Sequence, residues 1–462
     1  MTEAQVKIIF HGGAESVTGS NFLLAKTGTR PNWFLIDCGL FQGSKVCDDE
    51  NRKPFAYDVK SIDALFVTHA HLDHIGRIPK LVRDGFTGPI YSTAPTKEMA
   101  ELSLVDSLGV MTKESKRDGS EVFYSLEDVK QAISKWQTVD YHEPIKIDDF
   151  TIVFRDAGHI LGSAMVEFQF EGRKIVFTGD LGNSPAPLLQ PTEKLTDTNY
   201  LIMESVYGDR NHEQREFRAE KLEKIIEQTM ARKGTLMIPA FSIERTQEIL
   251  YEIENLMEAS RIPLVPVFLD SPLAIGITKI YKKYDRYFNH EVKYIIATGD
   301  GIFKFPQLQM TKTTDESKAI ANFSQRKIII AGSGMSNGGR IIHHEKNYLP
   351  DPQNTLLLVG YQPFGCLGRI LQDGAPEVKI LGQTVPVRAQ IETISGYSAH
   401  KDSDGLLDFV ADTADSLEKV FVTMGEPKAS LFLVQRIREN LEVSAESPEP
   451  GEEKILFSLE EK

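Results

Sequence analysis

Six consecutive positions within Thr68-His69-Ala70-His71-Leu72-Asp73-His74-Ile75-Gly76 carry three imidazoles and one carboxylate. An apolar run from Ile62 to Val67 ends directly against them, which predicts a loop at the C-terminal edge of a strand, followed by a short helix over Ile75–Val82. The chain must therefore fold around a sheet whose edge can hold a metal. His69 and His71, one residue apart in extended backbone, can turn to one ion. Asp73 and His74 project more readily to a neighbouring position, and this difference in reach points to two adjacent sites. Cys38, Cys47 and Cys366 have no CxxC spacing, so any metal rests on His and carboxylate; zinc is favoured, with manganese or iron open.

A chain of 462 residues is long for one core and predicts two domains. It contains no run of about 18 uncharged apolar residues, and its first residues, Met-Thr-Glu-Ala-Gln, are neither basic nor followed by a signal-peptide core, so a cytoplasmic protein is expected. A formal charge of -14 counts against broad non-specific clinging to nucleic acid or anionic membrane, but leaves room for a narrow basic cleft. Strand-like runs recur at Val6–Phe10, Phe22–Leu24, Trp33–Ile36, Thr151–Phe154, Met165–Phe170 and Lys174–Phe177, with helix-like stretches over 97–110 and 126–136. Beyond Glu204 the texture changes to amphipathic helices, 213–232 and 244–259, alternating with apolar strands such as Thr235–Phe241 and Leu356–Gly360. Strand-like Val387–Ile394 and Val420–Thr423 follow. The order predicts one domain interrupted by another.

A metal pair needs more ligands than one loop supplies. His159, in Ala157-Gly158-His159, is a candidate, and so is Asp180, which follows an apolar strand at Thr178-Gly179-Asp180. An aspartate can bridge two cations with its two oxygens, while a histidine closes one shell. Singly, His159 reads equally well as a loop residue and Asp180 as a helix cap. Together with the loop they complete a binuclear set.

These segments, with Val17-Thr18-Gly19-Ser20 and Ile36-Asp37-Cys38-Gly39, resemble the metallo-β-lactamase superfamily. Further motifs narrow the resemblance to the β-CASP RNA-processing nucleases, relatives of the cleavage and polyadenylation endonuclease. They are Glu204-Ser205-Val206-Tyr207-Gly208-Asp209-Arg210, Pro239-Ala240-Phe241 with Arg245, Gly332-Ser333-Gly334-Met335 with Gly338-Gly339-Arg340, Leu367-Gly368-Arg369, and Ser398-Ala399-His400-Lys401-Asp402. The resemblance implies an α/β fold in which a metallo-β-lactamase αββα sandwich is interrupted by an α/β β-CASP domain, with RNA hydrolysed in the intervening cleft. The domains are expected at 1–206, 207–380 and 381–462. By similarity, His69, His71 and His159 hold the first metal, Asp180 bridges, and Asp73 and His74 face the second. Glu204 supports His400, a candidate proton donor to the leaving oxygen, so that Asp73, Glu204 and His400 are the expected catalytic residues.

Phosphodiester cleavage suits such a centre: bound water is acidified, two ions roughly 3.5 to 4 Å apart neutralise phosphate charge, and an imidazole transfers a proton near neutral pH. Lactone or thioester hydrolysis could use a similar centre; the added Glu204/His400 layer favours phosphate. Ser333, Gly334, Arg340, Arg369, Ser398 and Lys401 are candidate substrate contacts, although Arg245, Arg340, Arg369 and Lys401 fit surface ion pairs equally well. Tyr207, Tyr361 and Phe364 could stack on bases or pack in the core. The partner expected is single-stranded RNA; a homodimer has no diagnostic feature.

One departure stands out. Relatives usually carry a histidine before the late Gly-Glu, where this chain has Val422-Thr423-Met424-Gly425-Glu426, and the one histidine after position 344 is His400. A thioether is a poor partner for a hard divalent ion, so the second site is expected to be weak. The functions in view are a metal-dependent ribonuclease, endonucleolytic or 5′-to-3′ exonucleolytic, a catalytically impaired RNA-binding or scaffold protein, and a hydrolase of small esters or lactones.

Overall fold

The computed structural model describes residues 4–43, 45–212, 217–299, 301–323, 326–362 and 365–459. The chain divides into two compact units: unit 1 comprises 1–184, 190–211 and 400–462, and unit 2 comprises 185–189 and 212–399.

Unit 1 is built on two seven-stranded sheets. The first runs, in spatial order, Glu453–Ser458, Gln5–Gly12, Asn21–Lys26, Asn32–Ile36, Ala64–Phe66, Ile90–Ser92 and Trp136–Thr138. The second runs Ala445–Glu446, Lys419–Val422, Tyr200–Met203, Arg173–Phe177, Ala164–Phe170, Phe150–Asp156 and Ile145–Ile147. Aromatic side chains alternate inward from both sheets. Phe10, Phe34 and Phe66 of the first meet Phe150, Phe154, Phe168 and Phe177 of the second in one apolar layer. Helices Ser403–Ala411 and Pro427–Leu441 cover the outer face of the second sheet through Leu406, Phe409, Leu433 and Ile437. This is the expected αββα sandwich.

Helix Ala94–Asp118 outruns the expected 97–110. It starts on a Thr93 side-chain cap with Pro95 in its first turn, and its last turns are polar, so no apolar period marks their helicity. The expected helix 213–232 is seen as Arg218–Ala231; residues 213–216 lie outside the described residues.

Unit 2 holds a six-stranded parallel sheet in the order Leu308–Met310, Val267–Leu269, Lys327–Ala331, Thr235–Pro239, Thr355–Leu358 and Gln390–Thr393. The last strand moves a boundary. Residues 381–399, expected to begin the return to the first domain, belong to unit 2 because Gln390–Thr393 pairs in parallel with Thr355–Leu358; the crossing falls at His400 instead. Residues 185–189 also belong to unit 2, where Asn289 donates its backbone N–H to the Leu188 carbonyl.

Glu345 of helix Ile341–Tyr348 is fully buried, with Oε1 accepting from the Ser336 hydroxyl and Oε2 unpartnered. Burial pushes its carboxyl up from 4.5 to about 7, against the pull of the Ser336 bond. A raised acid contributes stability that is complete below 4.5 and lost as pH rises through about 7. Glu345→Gln therefore stabilises the chain at pH 8 by roughly 2 to 3 kcal/mol and leaves it nearly unchanged at pH 5, as urea denaturation at the two pH values will report.

Candidate metal centre

The strand Ala64–Phe66 delivers the chain to His69, after which Leu72–Ile75 forms one helical turn with His71 as its N-cap. The turn separates the reach of the ligands as the spacing predicts. His69 Nε2 lies 3.1 Å from His71 Nδ1, and His159 Nε2 lies 3.3 Å from the same atom. Asp180 Oδ2 stands 3.4 Å from His69 Nε2 and 3.5 Å from His159 Nε2. Ligands about 2.0–2.1 Å from a tetrahedral zinc are separated by about 3.3 Å; these four separations match that edge length, and all four donor atoms lie within 4.8 Å of one another. His69, His159 and Asp180 are buried. Desolvation holds His71 and His159 well below the usual imidazole range, leaving their ring nitrogens neutral and able to ligate.

The expected second position, for which Asp73 and His74 are the candidates, adjoins this set. His74 Nε2 is 3.3 Å from Asp180 Oδ1 and 3.8 Å from Asp73 Oδ2. Both His74 Nε2 and Asp180 Oδ1 are buried without a hydrogen-bond partner, an arrangement that suits a cation and is otherwise costly. Asp180 thus turns one oxygen to each position. Asp73, His74 and Asp180 are not among the sets of three or more whose ligand atoms lie within 4.8 Å of one another among the described residues; His69/His71/His159/Asp180 and Asp180/Glu204/His400 are.

The residue that fixes His74 is Asp37, which the sequence pattern marks only as part of a strand-end segment. Its Oδ2 accepts from His74 Nδ1 at 2.7 Å, and its Oδ1 accepts the Thr68 N–H at 2.8 Å. The Thr68 hydroxyl stands between Asp37 and His69 Nδ1, 3.1 Å from the latter. With Nδ1 occupied, Nε2 of His74 faces the second position. A carboxylate at the end of Asn32–Ile36, facing a histidine loop at the end of the adjacent parallel strand, was the available signal.

Glu204, at the end of Tyr200–Met203, is buried and accepts the Leu181 N–H at 2.6 Å. Both of its oxygens lie 3.2 Å from His400 Nδ1, which is itself 3.9 Å from Asp180 Oδ2. Burial alone would lower the His400 pKa; the Glu204 carboxylate lifts it to about 9. The backbone of His400 bridges Gly182, two residues past Asp180.

Met424 occupies the turn after Lys419–Val422 with φ of 46° and is buried in the aromatic layer between the sheets. Its N–H donates to the Gly13 carbonyl at 2.6 Å, and a Cβ at Gly13 would meet its sulfur at 2.6 Å. Glycine at 13, itself at φ 73°, makes room for the thioether.

The expected substrate contacts fall in two places. Lys401 follows His400 in unit 1 and donates its backbone N–H to Leu181. Ser333, Gly334, Arg340, Arg369 and Ser398 belong to unit 2. There Arg340 is spent on Asp270 at 2.6 Å and on the carbonyls of Thr311 and Lys312, and Arg369 pairs with Asp373 at 2.9 Å. Arg245 is buried against Glu248. Tyr207 is buried, Tyr361 is exposed, and Phe364 lies outside the described residues.

Comparison with known proteins agrees with this geometry. A metallo-β-lactamase superfamily domain profile matches residues 32–205, a Beta-Casp domain profile 246–371, and a Zn-dependent metallo-hydrolase RNA specificity domain profile 384–448. The chain is 40% identical over 410 residues to Ribonuclease TTHA0252 of Thermus thermophilus, covering 88% of this chain and 90% of that one. It is 33% identical over 455 residues to Transcription termination factor FttA of Methanosarcina mazei, covering 95% and 70%. A crystal structure of a protein of unknown function from Enterococcus faecalis V583 shares the fold, with a TM-score of 0.54 at 13% identity, over 98% of this chain and 100% of that one.

Replacing Asp37 with alanine removes no donor but releases His74 and Thr68 from their orienting bonds, lowering zinc affinity roughly ten- to hundred-fold; competition against a chromophoric chelator measures it. Matching profiles over three segments and 40% identity across most of both chains place this protein in the β-CASP family of RNA-processing nucleases within the metallo-β-lactamase superfamily, metal-dependent hydrolases of the ribonuclease and phosphodiesterase class.

Proposed function

We propose that the chain hydrolyses single-stranded RNA at the His69–Asp180 centre, with His69, His71 and His159 holding one zinc, Asp180 bridging, and Asp73 and His74 facing a second, weaker position. The observation that carries this reading is the set of four donors within 4.8 Å of one another with the Glu204–His400 pair beside it. A divalent ion held there supplies Lewis-acid polarisation of a phosphate oxygen and acidifies water. The chain's own groups supply orientation and proton transfer. Glu204 engages Nδ1 of His400, so Nε2 is the atom presented to a leaving oxygen, and burial of Glu204 keeps the ring in one orientation. Asp73, half-buried next to His74, completes the polar wall on the side of the second position.

Met424 supports the weaker second position. Its thioether packs into the aromatic core and brings no hard donor to the place where a histidine was expected. The same observation favours the second reading, an impaired enzyme that binds RNA.

Turnover separates the two. Labelled single-stranded RNA with 5′ hydroxyl, monophosphate or triphosphate ends should be cut in a zinc-dependent manner, and the product ladder distinguishes internal cleavage from 5′-to-3′ digestion. His400→Ala should lower the rate about 10²- to 10⁴-fold while metal content stays at the wild-type value. Binding without turnover would favour the impaired reading, and turnover of small esters with none of RNA would favour an esterase.

Metal content tests the second position directly. Mass spectrometry should find a zinc stoichiometry near one for the wild type and a higher one for Met424→His. Two equally tight sites in the wild type would defeat the weak-site assignment.

A further inference from the structure

In the parallel sheet of unit 2 the connections of two neighbouring strands run in opposite directions, each passing the other strand. The chain leaving Thr235–Pro239 passes its neighbour Lys327–Ala331 to reach Val267–Leu269, while the chain leaving Lys327–Ala331 passes back over Thr235–Pro239 to reach Thr355–Leu358. Adjacent parallel strands whose connections run in opposite directions open a crevice at their carboxyl ends, the usual ligand position in sheets of this kind. Phe241 lies two residues past the first strand and Gly334 three past the second, so both stand at this crevice.

Phe241 is 40% exposed although Pro239 and Ala240 before it are buried. Its ring rests on Gly334, where a Cβ would lie 2.8 Å from Cδ2, and a Cβ at Gly360 would lie 3.7 Å from its Cε2. The seat is rigid. The Phe241 carbonyl accepts from both the N–H and the hydroxyl of Thr246, at 3.3 and 2.7 Å. The Gly334 carbonyl accepts from the Gln362 amide at 3.0 Å, and Asn337 Oδ1 accepts the Leu367 N–H at 2.9 Å. At the start of the same glycine loop, Ser242 Oγ lies 3.4 Å from Ser271 Oγ, and both border Gly332.

We infer that Phe241 is a stacking platform for one unpaired base of the RNA substrate, making it a positioning residue for substrate rather than a member of the reacting centre. The inference rests on the ribonuclease reading above. A single exposed aromatic disc backed by glycine matches one base, whereas an apolar peptide or lipid needs a continuous groove. The platform also answers a problem of charge. A chain with a formal charge of -14, whose Arg340 and Arg369 are spent on Asp270 and Asp373, gains less affinity from phosphate contacts and more from stacking, which does not depend on sequence.

The test uses the zinc-loaded full chain, mixed by stopped flow with short single-stranded RNAs carrying 2-aminopurine at successive positions and read before turnover. The wild type should quench the probe at one position. Phe241→Leu should abolish that quench and raise KM about ten-fold with kcat within about two-fold, Phe241→Trp should restore both, and an abasic residue at the quenched position should mimic the Leu variant on the wild type. An unchanged quench and KM in Phe241→Leu would overturn the platform, as would wild-type turnover with no quenched position; both leave the ribonuclease reading intact. Neither binding nor cleavage of RNA by the wild type would overturn the ribonuclease reading and the platform with it.

Discussion

The Asp180 carboxylate is the constraint around which unit 1 is arranged. It is buried, its Oδ2 faces His69 and His159, and its Oδ1 faces His74. Burial alone would raise its pKa; the His74 and His69 rings draw it well below the usual carboxylate range instead. A carboxylate in such a place is tolerable when each oxygen has polar or cationic company. Strand ends from both sheets supply that company, which is why the loops after Ala64–Phe66, Phe150–Asp156 and Arg173–Phe177 meet at one edge.

Outside the donors lies a layer that does not touch the metal position and yet decides its geometry. Asp37 and Thr68 orient His74 and His69, and Glu204 orients His400 while accepting the N–H of Leu181, the residue after Asp180. These are hydrogen bonds made in dry surroundings, where an unmade partner costs about 1–3 kcal/mol. Orientation is therefore held by the fold before any ion arrives. Met424 shows the opposite allocation. The backbone keeps the turn, with its N–H on Gly13 and its carbonyl accepting from Ser205, while the side chain is given to the core.

In unit 2 both arginines expected at substrate make ion pairs, Arg340 with buried Asp270 and Arg369 with exposed Asp373. Arg340 closes a network on Asp270 that also holds His344, Thr311 and Ser317, all at 2.6 to 2.7 Å. That network anchors the glycine loop whose Gly334 backs Phe241. Two residues of one motif thus play different parts, since the guanidinium fixes the loop and the missing side chain of the glycine leaves room for a ring.

Much of this was legible in residue order. The histidine spacing, the strand ends at His159 and Asp180, and the interruption of one α/β unit by another follow from local patterning, because a strand terminus and a ligand beside it are both short-range features. The domain return was less legible: Gln390–Thr393 looks like any short strand, and only its parallel pairing with Thr355–Leu358 assigns it to unit 2. Asp37 as an orienting group, Arg340 as an anchor and Phe241 as an exposed ring were beyond reach for the same reason, since each depends on partners 37, 70 or 93 positions away. By itself the sequence determined which donors the chain owns and that one expected donor is a thioether. The tertiary structure decided which atoms face one another, because facing is set by strand pairing and burial, and neither is encoded within any single segment.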